Sequence, residues 1–368
     1  MNRALILAFG AKHTGRSRGR FMKTLGIALS LLALLAACGS SSGSGENPLQ
    51  SDVDCVRDNP LQACESSGDG EDGSDIGDGG TADPDGVPGA LSENLAKFSF
   101  ASDMRSVTVT INGLDSGSAD AVYRRDDALT DALGIDDYIA YSLQEDSLDR
   151  FFMSLGSSSL DGSVAAAVVG SGAQFDTVYQ GGTYARDGSY DPPGAGEDQQ
   201  VTYSGDYAAL TNLSTRDGTG LLDPGTLPDG YDEFDLPGQP AMIRGAILLN
   251  VSFVDNEVNG QIFNRDIIDP RDTRTTERLN DVMLELAEID QSGEFLGSAA
   301  NAAGDSPTVS GSYGGIFGGK NASYVAGLTN LEWDGSGVLG AASGQAQEIG
   351  MFVLTQCGTP GAVAALCP

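Results

Sequence analysis

The chain is predicted to be mainly β, with a C-terminal half that closes into a small antiparallel barrel. Three observations carry this. Apolar residues alternate with polar ones in short runs: Val201, Tyr203, Gly205 and Tyr207 share one face of VTYSGDY, and Ile247, Leu249, Val251 and Phe253 share one face of AILLNVSF. An aromatic-any-Gly-any-aromatic element recurs as Tyr203-Ser204-Gly205-Asp206-Tyr207 and Tyr313-Gly314-Gly315-Ile316-Phe317, with a partial copy at Phe295-Leu296-Gly297. A glycine between two rings on one face lets a strand bend while the rings cover the gap, which suits barrel closure. Finally, 51 of 368 residues are Gly and only 7% are aromatic, a composition closer to β architecture and linkers than to a helical enzyme.

In chain order, the first element is an export signal. Phe21 to Cys38 reads FMKTLGIALSLLALLAAC, a Lys followed by an apolar run too short for a comfortable membrane span. Leu35-Ala36-Ala37-Cys38 resembles a bacterial lipobox, so residues 1–37 are predicted to be removed and Cys38 to carry a diacylglycerol with palmitate-type acyl chains. Met22 is an alternative start. Gly39 and Ser40 give no inner-membrane retention signal, which makes the outer membrane the expected address. Cleavage also changes the charge: the first 37 residues hold six basic residues and no acid, so the remainder has 14 basic and 52 acidic residues, a net of -38. That balance excludes nucleic acid as a partner. The sole histidine, His13, leaves with the signal, which excludes His-dependent triads and His-ligated zinc.

Five cysteines is an odd number for an exported protein. Lipidation of Cys38 leaves Cys55, Cys64, Cys357 and Cys367, two close pairs that predict local disulfides Cys55–Cys64 and Cys357–Cys367 among three connectivities. Residues 38–93 read as a disordered acidic tether: of the 26 residues from Glu65 to Ala90, 19 are Gly, Ser, Asp or Glu, too little apolar surface to offset ordering entropy. Its Asp69, Asp72, Asp75, Asp78, Asp83 and Asp85 do not complete a calcium-loop pattern, so no metal site is assigned.

Folded chain starts near Leu95. Phe98-Ser99-Phe100 and Val107 to Ile111 alternate as strands, the second ending at Asn112-Gly113. ALTDALGIDDYIAY reads as a helix broken at Gly134, SLDRFFMSL as a turn or a strand, Val164–Val169 as a buried strand and Gln174–Tyr179 as the next one. VNGQIFN after Asp255-Asn256-Glu257 is the strongest hairpin signal. RLNDVMLELAEI, residues 278–289, fits helix and strand equally, and GEFLGSA and VSGSYGGIFGG resume strand character.

Four segments resemble the transferrin-binding protein B-like surface lipoproteins of Gram-negative bacteria. They are Gly182-Thr183-Tyr184-Ala185-Arg186-Asp187-Gly188; Thr202 to Ala208; Val251-Ser252-Phe253 through Val258 to Arg265; and Gly311 to Gly318 running into Asn321 to Gly327. The chain departs from the family pattern at Lys320, where Pro is common, and at Tyr324, where an acid is common. The resemblance implies a handle-like β domain at 94–180, an antiparallel eight-stranded barrel at 181–356 and a C-terminal tail at 357–368 with its disulfide. It implies one lobe where the transferrin receptors have two, so no ligand-contacting residue is carried over.

The functional expectation is a non-enzymatic, outer-membrane, surface-exposed lipoprotein that binds a macromolecule or nutrient, of metal- or haem-acquisition type by resemblance. It needs no cofactor. Candidate loops are Asp187–Gln200, Asp217–Gln239 with Tyr231 and Phe234, and Asp266–Glu277 with Arg271 and Arg274; Tyr and Arg suit binding hot spots. The alternatives are a structural envelope lipoprotein without a specific ligand, and a carboxylate hydrolase using Asp176, Asp187 or Asp206. No catalytic residue is assigned, since no Ser-x-x-Lys, Gly-x-Ser-x-Gly or phosphate-loop motif is present.

Overall fold

The computed structural model describes Leu49 and residues 86–114, 120–175, 177–194, 199–232, 235–301, 308–341 and 344–367. The signal segment, Cys38, Cys55, Cys64 and the tether through residue 85 lie outside the described residues, as do Asp176 and Phe234.

The first half is an antiparallel meander of seven strands: β1 Leu95–Phe100, β2 Ser106–Ile111, β3 Ala121–Arg125, β4 Ile139–Leu143, β5 Phe152–Ser158, β6 Val164–Ser171 and β7 Gln180–Arg186. A four-residue helix, α1 (Gly89–Ser92), leads into it. Between β3 and β4 stands α2, Asp127–Leu133. The Asp126 carboxylate accepts from the Leu129 N–H at 3.0 Å and caps its start, and Gly134 at φ 65° ends it, where the sequence placed the break. Gln174–Tyr179 is not a strand. It forms one bridge between Gln174 and Thr177 with Phe175 at φ 52°, a tight turn onto which the Arg150 guanidinium donates, to the carbonyls of Gly172, Gln174 and Thr177. SLDRFFMSL resolves as both of its readings: Ser147 to Asp149 form a turn and Phe152 onward is β5.

The second half is a closed eight-stranded antiparallel barrel of β8 Gln200–Thr215, β9 Gln239–Ser252, β10 Glu257–Ile268, β12 Val282–Glu288, β13 Glu294–Ala300, β14 Val309–Gly318, β15 Tyr324–Asp334 and β16 Gln345–Gln356. Each strand pairs with its sequence neighbour, and β16 pairs back onto β8 to close the ring. A three-residue strand, β11 (Thr276–Arg278), extends the edge of β10. The ambiguous 278–289 run resolves as β12: Val282, Leu284 and Ala287 point into the barrel with a bulge between them, and the intervening positions face water. The strand from Gly181, read as the opening of the barrel, instead completes the first sheet. β6 is buried along its whole length and needs a partner on each side; β7 supplies the second, from Val164 opposite Arg186 to Gly170 opposite Gln180.

Three apolar cores result. One fills the barrel lumen, where Tyr203, Tyr207, Tyr313 and Phe317 of the aromatic-glycine elements all point inward. A second lies inside the curl of the seven-stranded sheet around Phe98, Phe100, Tyr123 and Tyr141. The third joins the two halves: Leu155, Ala166 and Val168 of the sheet pack on Ala208, Leu210, Ala326, Leu328, Ile349 and Met351 of the outer barrel wall. Tyr138 crosses the joint, donating to the Asp206 carbonyl at 2.8 Å and accepting from the Val353 N–H at 3.0 Å.

Candidate functional site

The barrel ends differ. At one end β9–β10, β12–β13 and β14–β15 are joined by short turns at 253–256, 289–293 and 319–323. At the other, long connections leave β8 (216–238), β10 (269–281), β13 (301–308) and β15 (335–344). Connections of this length away from the core carry binding in many folds, because the scaffold fixes their ends while their sequences are free.

Hydrogen bonds brace these loops into one platform. The Thr219 N–H donates to the Pro270 carbonyl at 2.9 Å, joining the first two loops. Arg271 Nη2 donates to the Leu339 carbonyl at 2.7 Å, and the Leu339 N–H donates to Glu277 Oε2 at 3.1 Å, joining the second to the fourth. The seven-stranded sheet contributes its own loops at the same place. The Leu222 N–H donates to Gln144 Oε1 at 2.8 Å, and Gln174 Nε2 reaches the Leu148 carbonyl at 2.8 Å and the Asp235 carbonyl at 3.1 Å. Gly172 and Gly238 meet backbone to backbone, and a Cβ on Gly172 would collide with the Gly238 carbonyl. The Gly238 N–H donates to the Ala173 carbonyl there at 3.1 Å.

The residues singled out from sequence fall on this platform with different duties. Arg271 is a brace: its Nε and Nη2 hold both oxygens of Asp269 at 2.9 Å, and that hydrogen bonding keeps the Asp269 carboxyl below the usual carboxylate range. Arg274 pairs with Asp272 at 3.0 Å and is otherwise solvated. Tyr231 stands exposed in the first loop, at 46% of its full surface. The sequence reading missed two further residues, Phe175 at 62% and Leu222 at 47% exposure. Phe175 was hidden in the run Gln174 to Tyr179, whose β-branched and aromatic residues imitate a strand; Leu222, an apolar residue just before the Asp223-Pro224-Gly225 turn, carried the signal that finds such positions. Phe175 follows Gln174, whose side chain holds the Asp235 carbonyl, and Asp235 is tied back by its carboxylate to the Asp232 N–H at 2.9 Å beside Tyr231. Phe175 and Tyr231 are thus linked by one run of hydrogen bonds, and Leu222 belongs to the same loop as Tyr231, held to Gln144. Acids rim the platform: Asp217, Asp223, Asp229 and Asp232 in the barrel loop, Glu145, Asp146 and Asp149 in the sheet loop. Partial burial and the Asp149 charge push the Glu145 carboxyl up.

A second concavity, about 460 Å³, lies toward the short-turn end between the two halves, lined by Tyr138, Asp136, Asp137, Ser158, Asp206 and Val363 among others. Partial burial, then Asp136 and Asp137, raise the Asp206 carboxyl. Asp187 lies apart from this group in the exposed segment after β7. Among the described residues no group of three or more Asp, Glu, Cys or His side chains is placed to hold a metal ion. One wall of the concavity is the C-terminal tail, held by the Cys357–Cys367 disulfide, whose two sulfurs lie 3.3 and 3.2 Å from Ser204 Oγ. Loop-closure entropy for so short a ring predicts that Cys357→Ser/Cys367→Ser loses about 2–3 kcal/mol in denaturant unfolding. Reduced wild-type chain is expected to match the variant, and a midpoint unmoved by either change would show that the tail adds nothing to the fold.

No protein-family model matches the chain, and no curated protein matches it in sequence. Among solved structures it is similar to the isotype 1 transferrin binding protein B of serogroup B Neisseria meningitidis, with 10% identity over 75% of this chain and 55% of that one and a TM-score of 0.30. A mutant of the transferrin binding protein B vaccine antigen from Haemophilus parasuis Hp5 is similar at 12% identity, 72% and 53% coverage and a TM-score of 0.28. The intact Ap-TbpB, with N and C lobes, is similar at 11% identity, 72% and 55% coverage and a TM-score of 0.29. The chain spans about half the length of each of these structures.

Proposed function

We propose that this chain is a non-enzymatic binding protein, held at the outer face of an outer membrane by a lipid on Cys38, which captures a macromolecule on the long-loop end of its barrel. The observation that carries the reading is the exposure of Phe175, Leu222 and Tyr231, three large side chains on loops that hydrogen bonds brace into one platform. Exposed aromatic groups on preorganised backbone are the anchors of protein interfaces, and ordering has already been met by the loop bracing. The acidic rim adds a partner preference, a complementary basic surface whose association weakens as salt rises. The lipobox-like Leu35 to Cys38 segment and the family-like strand motifs support display at the cell surface.

Two measurements test this. Protease shaving of intact cells is expected to digest the chain; complete protection would sink the surface reading. Affinity capture from extracts by the immobilised chain is expected to recover a protein that molar salt elutes and that Phe175→Ser/Leu222→Ser/Tyr231→Ser recovers at least tenfold less, with an unchanged thermal midpoint. Equal recovery by both chains would remove the platform as the binding surface.

A further inference from the structure

Leu49 stands far from the folded chain in sequence, yet its side chain is fully buried in the core inside the curled seven-stranded sheet, with Phe98, Phe100, Val107 and Tyr141. Its backbone is engaged as well: the Leu49 carbonyl accepts from the Phe100 N–H at 2.6 Å. β1 is an edge strand, and its partner β2 takes the Ala101 N–H through the Ser106 carbonyl, so by alternation the Phe100 N–H points to the open side. At the other end of β1 the sheet nearly closes on itself, the Asn94 N–H donating to the Gln180 carbonyl of β7 at 2.9 Å. Leu49 thus supplies two things that the curl lacks at Phe100: an acceptor for an edge amide and an apolar side chain for the core. An unpaired strand edge is a template for an extended segment, and here the chain covers its own.

We propose that Leu49 is an anchoring residue, by which the N-terminal arm docks on the edge of β1 and fastens to the folded body well ahead of the point where the chain enters it. Leu49 is the first large apolar residue after Cys38 in a run of Gly, Ser, Glu, Asn and Pro. The consequence of the docking for display rests on the lipid reading of Cys38. From Cys38 to Leu49 the chain spans at most about 40 Å, whereas to Gly86 it would span about 170 Å. The clamp therefore keeps the body near the membrane.

Hydrogen exchange on the full chain tests the clamp. In the wild type the Phe100 amide is expected to exchange at least tenfold more slowly than in Leu49→Asp or Leu49→Ser, while amides of the barrel strand pair β8–β9 keep their rates. The serine variant covers the case in which a buried aspartate prevents folding. Equal Phe100 protection in wild type and a folded variant overturns the clamp. Palmitate labelling of Cys38 is read separately: absence of label removes the lipid and the membrane distance, and leaves the docking of Leu49 judged by exchange alone. In labelled vesicles, energy transfer from a fluorophore appended to the body to a longer-wavelength acceptor dye in the membrane is expected to fall on Leu49→Asp, and unchanged transfer overturns the shortened reach.

Discussion

Glu348→Ala is expected to cost about 3–5 kcal/mol of unfolding free energy, the penalty of leaving a buried charge without its partner. Glu348 on β16 and Arg265 on β10 are ion-paired inside the lumen at 0% and 1% exposure. Arg265 Nη1 also donates to the Asn280 carbonyl at 2.6 Å, and its Nε has no acceptor among the described residues. The carboxylate does more than neutralise. Its Oε1 accepts from the Tyr207 hydroxyl at 2.8 Å and its Oε2 from Trp333 Nε1 at 3.1 Å, while Thr329 Oγ1 lies 2.7 Å from Tyr207. Alanine at 348 leaves a guanidinium, a phenol and an indole N–H facing each other in an apolar barrel. Glu348→Gln keeps an acceptor and should lose less. Replacing both ions by methionine should recover most of the loss, since the desolvation cost of the pair disappears with its attraction. Denaturant midpoints of Arg265→Met, Glu348→Met and the double variant check this; if the double variant is as unstable as the sum of the two single ones, the pair is not acting as a unit. Because Asn280 belongs to a long loop, the single variants should also loosen the binding platform.

That network explains where sequence reasoning stopped. The alternation of β10 puts Val258, Gly260 and Ile262 inward, and continuing it would place Asn264 inward and Arg265 in water. A bulge between Phe263 and Asp266, with Asn264 at φ 54°, shifts the parity so that Arg265 and Ile267 face the lumen. No pattern of apolar residues announces a bulge, so a charged pair at the heart of the barrel stayed hidden. What was legible is the chain with an unbroken register: β8 with β9 from Gln200 opposite Ser252 to Thr211 opposite Ala241, and the hairpin of β9 with β10 from Ser252 opposite Glu257 to Ala246 opposite Phe263. The aromatic-glycine elements were legible too, since their spacing is set by the bend itself. Platform residues were half legible. Tyr231 and Arg271 stood out by type, whereas Phe175 looked like a strand residue because the Arg150 contacts onto its turn come from another loop. Leu49 was read as part of the tether, because its partner, the edge of β1, exists only once the sheet has curled.

Phe317→Ala is expected to cost a comparable 3–5 kcal/mol, at the opposite end of the lumen. The ring is fully buried and touches three others, with centroids 5.5 Å from Tyr203, 5.4 Å from Phe253 and 5.4 Å from Phe295. Removing it opens a cavity ringed by three aromatic side chains, on β8, β13 and the β9–β10 turn, that the closed barrel cannot draw together, so both transfer and cavity terms apply. Gly315, two residues earlier on the same face, shows the complementary constraint. A Cβ there would lie 2.9 Å from Phe295 Cζ and against the Ala326 carbonyl, so Gly315→Ala should also destabilise, by about 1–3 kcal/mol, through overpacking. The two substitutions test one mechanism from both sides: rings fill the lumen only because the glycine between them lets the neighbouring strand approach. Since the short-turn end is remote from Phe175, Leu222 and Tyr231, Phe317→Ala should lower the denaturant midpoint without changing capture by the folded chain. Lost capture at a temperature where the variant is folded would mean that lumen packing, and not the loop bracing alone, sets the shape of the platform.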